Sequence, residues 1–170
     1  GRRYMASETE WTSMLVKRRL DQYREAYRDM CESDERLQQL RDQAAGLGAS
    51  IPTGMPRNPS PPTDRMGALV AQIVELEEVI SEDIEALTAE RHALEGAIRQ
   101  LRRAEQKGLL RLRYIDCLTW EAVASVMFGG KADFLGKEES YQRRLFRSHQ
   151  AALEGMAEIL NRIPRNTGEG

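Results

Sequence analysis

Ser140, Tyr141, Gln142, Arg143, Arg144 and Arg147 crowd into eight consecutive positions. Between them they offer hydroxyls, an amide and three guanidinium groups, a set made for hydrogen bonding rather than for bond-making. A guanidinium forks onto phosphate oxygens or onto the O6 and N7 acceptors of guanine, and Ser, Tyr and Gln reach phosphates or base edges. Lys131 and Lys137 stand a few residues upstream and can add charge against phosphate. These eight residues are the expected nucleic-acid contacts. Catalytic chemistry finds no comparable set. The two histidines, His92 and His149, have no nucleophile at a spacing that would form a working pair. The GGKADFLGK stretch lacks the Gly-Lys-Ser/Thr ending of a phosphate-cradling loop, and Cys31 and Cys117 show no metal-ligand spacing. No enzyme activity, cofactor or metal is expected.

Such contacts need a rigid presenter, and the flanking sequence supplies two helices. Thr119 can cap the first, and Glu121 sits in its first turn, where a carboxylate complements the helix dipole. Trp120, Val123, Ala124 and Met127 recur at helical spacing and share one face, with Ala124 small enough for a close helix crossing. Gly129 and Gly130 are expected to take the chain out of that helix in a left-handed conformation. In the next helix Leu145, His149, Ala152, Leu153 and Met156 form an inward stripe. Ser140, Arg143, Arg144, Arg147 and Ser148 are left outside, as a recognition helix in a DNA major groove requires. Charge is segregated to match. Arg99 to Arg165 hold 13 Lys/Arg against 8 Asp/Glu, whereas residues 1–98 hold 12 against 18, so the net −2 conceals a basic C-terminal third.

Leu110, Arg113 and Tyr114, then Trp120-Glu121-Ala122-Val123-Ala124, then Ser140, Leu145, His149 and Ala152-Leu153 give residues 109–156 a resemblance to region 4 of bacterial sigma factors. More closely, the stretch resembles phage-encoded late-transcription regulators of the RinA-like and ArpU-like kind. The Pro-rich IPTGMPRNPSPPTD segment and the long helix after it are similar to what precedes the domain in that family. The resemblance implies binding to double-stranded DNA near a promoter, contact with RNA polymerase, and activation of phage late genes in the cytoplasm of a bacterial host. FGGKADFLGKEE, between Met127 and Ser140, is longer than the turn of sigma region 4. Phe134 and Leu135 are expected to anchor this insertion while Lys131 and Lys137 face phosphate.

The rest of the chain is helical in pattern. Val16, Leu20, Tyr23, Tyr27, Met30 and Leu37 step by threes and fours, and Leu40, Ala44 and Leu47 continue on a shifted register. Five of the six prolines lie in residues 48–63 and must end that helix. A second helix is expected from Thr63-Asp64 to about residue 104, with its stripe through Leu69, Ile73, Leu76, Ile80, Ile84, Leu87, Leu94, Ile98 and Leu101. No strand-like alternation appears. The expected fold is therefore all-α. A long antiparallel, coiled-coil-like helical hairpin spans 8–104, with its Pro-rich loop at 48–63. A helix-turn-helix DNA-binding domain, sigma region-4-like, follows over 105–163, then a flexible tail over 164–170. Trp11, Met14, Tyr27 and Met30 exceed what one helix–helix seam uses, so a homodimer is expected. No apolar run reaches about 18 residues, so no membrane partner is expected.

Three functional readings share these features. The first is a sequence-specific transcription regulator acting at promoters with RNA polymerase. A small terminase-like DNA-packaging subunit also joins a helix-turn-helix to coiled helices but assembles into rings. A sigma-domain mimic that inhibits polymerase would bind protein and leave DNA alone. Oligomer mass and DNA binding separate them.

Overall fold

Between Glu8 and Gly46 no proline or glycine interrupts the chain, and the segment forms one helix, α1, Ser13–Ala49. Thr12 starts it, accepting the Leu15 amide on Oγ1 at 3.2 Å and the Val16 amide on its carbonyl at 3.0 Å. The structure, a computed structural model, describes residues 10–49 and 62–164. Most of the Pro-rich loop and the tail after Pro164 lie outside the described residues.

The second long helix, α2, spans Pro62–Arg99. Proline suits a first helical position because the amide it lacks would have no intrahelical partner, and Asp64 follows in the first turn. The helix stops short of residue 104. The Gln100 and Leu101 amides fold back onto the Ala97 and Ile98 carbonyls at 3.0 and 3.1 Å, tightening the last turn. Leu101 nonetheless stays buried, which is why its place in the stripe gave no sign of the break. Then come α3, Ala104–Leu110, a π turn at Arg111–Ile115, α4, Trp120–Phe128, a 3-10 turn at Phe134–Gly136, and α5, Glu138–Arg162. Among the described residues there is no strand, and no helix is long and apolar enough to cross a membrane.

The chain forms two compact units, and the division runs through both long helices. In the unit of residues 25–89 the two helices pack together, burying Leu37, Leu40 and Ile80, with Arg41 and Glu77 paired at 2.7 Å. Two helices offer each other one seam, so apolar residues just off it stay wet. Ile84, expected in the stripe, is half exposed, as are Val70, Val74 and Val79. The other unit joins the first part of α1 and the end of α2 to the three shorter helices. Its core holds Val16, Leu20, Leu94, Ile98, Leu109 and Tyr114 together with the inner face of α5. Arg19 pairs with Glu90 at 2.7 Å, and Gly155 of α5 lies so close to Leu101 that a Cβ there would come within 2.8 Å of Leu101 Cδ2.

The end of α4 corrects one expectation. Gly129 caps the helix in a right-handed conformation, φ −61° and ψ −23°, and Gly130 has no positive φ either. Glycine is needed at 129 for space, not handedness. Its amide donates to the Ser125 carbonyl at 2.8 Å, and a Cβ at that position would collide with the same carbonyl oxygen. Gly129→Ala is therefore expected to cost about 1–3 kcal/mol, as overpacking against backbone does. Gly130→Ala meets nothing within 4 Å and should leave stability almost unchanged. Equal thermal midpoints for the two variants would contradict this. The left-handed position is Cys117, φ 59°, the one described non-glycine residue with positive φ. It follows the π turn, where the Asp116 amide reaches back to the Arg111 carbonyl at 2.9 Å. Arginines brace this strained link: Arg24 Nη2 donates to the Cys117 carbonyl at 3.4 Å and Arg113 Nη1 to the Leu118 carbonyl at 3.0 Å.

Candidate nucleic-acid interface

Thr119 adopts the extended conformation of a cap, and its Oγ1 accepts the Ala122 amide at 3.2 Å, which launches α4 as its sequence suggests. Val123 and Ala124 are buried, Met127 is half-buried, and Phe128, absent from the expected face, is buried at 2 % exposure. All five residues of the inward stripe of α5 are buried: Leu145, His149, Ala152, Leu153 and Met156. Aromatic contacts tie the two helices at both ends. Trp120, at the start of α4, meets Phe146 and His149 edge-on at 5.6 and 4.7 Å between centroids, and Phe128, at its end, stacks on Tyr141 at 5.1 Å. The end of α4 therefore lies beside the start of α5 and its start beside a point further along α5, and neither helix can rotate without losing a ring contact.

Polar groups fix the rotation of α5 further. His149 Nε2 and the Tyr114 hydroxyl share a buried hydrogen bond of 2.8 Å. Burial, chiefly, holds the His149 pKa down to about 4 and pushes the Tyr114 phenol well above its usual range, so both are neutral near pH 7. His149 is a packed, hydrogen-bonded core residue. Arg113 lies over the Trp120 ring at 4.8 Å, and burial lowers its pKa from the ordinary arginine value.

With one face of α5 so fixed, the positions of the eight expected contacts follow. Ser140, Arg143, Arg144 and Arg147 are exposed, and Tyr141 and Gln142 are half-buried. Arg143 and Arg147, one helical turn apart, have no hydrogen bond or ion pair to any described residue. Arg144 differs from them. It pairs with Glu105 at 2.8 Å and lies over the Phe128 ring at 5.1 Å. Ser148, expected outside, is half-buried and donates to Glu105 at 2.9 Å. Tyr141 turns toward Phe128 and Phe134, and its hydroxyl donates to Asp133 Oδ1 at 2.5 Å. That bond raises the Tyr141 pKa and lowers that of Asp133. Ser140, Arg143, Phe146 and Arg147 together line a shallow depression of about 620 Å³, and Lys137, Ser140 and Arg143 border a smaller one of about 390 Å³.

Of the two apolar residues expected to anchor the insertion, Phe134 and Leu135, only one does so. Phe134 is half-buried against Tyr141, whereas Leu135 is 87 % exposed, so it does not plug the core as expected. A 3-10 turn explains the split, because adjacent side chains point far apart and only Phe134 faces the helix. Lys137 pairs with Asp133 at 3.6 Å, and Lys131 is exposed.

Two residues of the site are absent from the sequence expectations. Glu105 draws Arg144 and Ser148 inward from α3, and no local pattern signals a partner so distant in the chain. Phe146 could have been found, since it follows the inward Leu145 and so falls at the margin of the stripe among the arginines. No known protein family, curated protein or solved structure matches this chain.

Proposed function

We propose that the chain is a sequence-specific DNA-binding transcription regulator, with α4 and α5 acting as a helix-turn-helix and α5 entering the major groove. One observation carries this reading. Arg143 and Arg147 stand side by side, exposed and unpartnered among the described residues, on a helix whose opposite face is locked by buried contacts. Guanidiniums left unpaired on a rigid helix have no internal partner to give up and are free to fork onto base edges or phosphate, although binding must still order each side chain at about 0.5–1.5 kcal/mol. Ser140 joins this surface to Lys137, with Glu138 and Glu139 lining the same edge. Arg144 joins through the outer side of its guanidinium while Glu105 holds the inner.

The resemblance to phage late-transcription regulators gives the setting: a promoter, RNA polymerase and a bacterial cytoplasm. The unit of residues 25–89 supports self-association. Among its described residues it buries three apolar side chains and leaves Val70, Val74 and Ile84, which fall within about 80° of one another around α2, about half exposed, a stripe that a second copy would cover. Selection from a pool of random duplexes tests the reading. The full-length chain is expected to enrich a common sequence and to run as a dimer in light scattering. A ring of eight or more subunits would favour DNA packaging, and failure to enrich any duplex would sink both readings.

A further inference from the structure

Phe146 is the apolar member of the depression that Ser140, Arg143 and Arg147 line. Phe146 is 49 % exposed, yet its ring is not loose, because Trp120 braces it edge-on at 5.6 Å and Arg113 in turn covers Trp120 at 4.8 Å. A rigid, half-wet aromatic ring beside two unpartnered arginines, in the depression they share, offers one kind of contact that they cannot. In the major groove the apolar feature presented by the bases is the C5-methyl group of thymine, and Phe is among the side chains that meet it. We propose that Phe146 is a specificity-determining residue that reads a thymine methyl group next to the bases or phosphates held by Arg143 and Arg147. The assignment rests on the DNA-binding reading above and adds to it a base preference.

Deoxyuridine isolates this contact, since it differs from thymidine by the methyl group alone. The experiment uses the full-length chain and a duplex of about 30 bp enriched from a random pool, remade with each thymine replaced in turn. Wild-type binding is expected to weaken about threefold to fourfold at one or two of these positions, the effect of one buried methyl group. Phe146→Ala should bind less tightly and ignore the replacement. Phe146→Tyr keeps the ring against Trp120 but directs a hydroxyl outward, so it too should ignore the methyl while keeping its helix content and thermal midpoint. Equal wild-type affinity for every uracil duplex overturns the proposal and leaves DNA binding standing, as does undiminished methyl sensitivity in both variants. Preference for the single strand over the duplex overturns it as well. Failure to enrich any duplex overturns this inference and the reading beneath it together.

Discussion

Replacing Arg143 and Arg147 together by alanine is expected to lower affinity for an enriched duplex about 100-fold or more, at about 1–3 kcal/mol for each guanidinium set bidentate on guanine. The dependence of log affinity on log salt should also flatten by about one unit for each arginine that had faced phosphate instead. Both side chains are exposed and make no polar contact with any described residue, so the variant should keep its helix content and thermal midpoint. Arg144→Ala provides the contrast. Its charge is shared with Glu105, so the expected loss in affinity is smaller, and some stability goes with the ion pair. An unchanged affinity for the double variant at moderate salt would remove α5 from the interface.

Acidification is expected to unfold the unit that carries α5 through His149. In the folded chain its pKa is held to about 4, chiefly by burial, with Lys17 also opposing protonation, Asp21 favouring it and Arg113 opposing it. In the unfolded chain it returns to the ordinary value of about 6.5. Between these values the unfolded state binds the extra proton, so stability falls as pH falls. Its contribution is full above about pH 6.5 and is lost progressively toward pH 4, by a total of about 3 kcal/mol. His149→Gln retains polar atoms for Tyr114 but cannot titrate, so its stability should fall less over the same window. Urea unfolding of both proteins from pH 7 to pH 4 isolates the histidine from the carboxylates, which titrate in each. Parallel curves would show that His149 does not couple folding to protons. Tyr114→Phe, which strips the hydrogen-bond partner from a buried imidazole, should cost about 1–3 kcal/mol at pH 7.

Periodicity exposes what local physics decides. The inward stripe of α5 and the Thr119 cap follow from helical spacing and backbone satisfaction, and the structure bears them out; along α1 it buries Val16, Leu20, Tyr23, Leu37 and Leu40, while Tyr27, Met30, Ala44 and Leu47 are half-buried. The handedness at Gly129 was illegible because glycine signals two different needs, a positive φ or bare space, and the close Ser125 carbonyl selects the second. Cys117 takes the left-handed position with no glycine to announce it, because the π turn dictates where the chain must bend. At the candidate interface, exposure of Arg143 and Arg147 follows from their phase against Leu145 and His149. The inward turn of Tyr141 and the tethering of Arg144 depend instead on Asp133, Phe128 and Glu105, tertiary partners that no spacing rule reveals. Ile84 went astray for a related reason. The stripe says which residues are apolar, but the number of packed neighbours decides which are dry.

The most direct measurement is backbone amide NMR of the full-length chain, titrated with an enriched duplex at moderate salt. If α5 is the recognition helix, the largest shifts should fall on residues 138–148, with further changes at Lys131 and Lys137. Shifts confined to residues 25–89, or no shifts at duplex concentrations well above those of the protein, would contradict a DNA-reading role for α5.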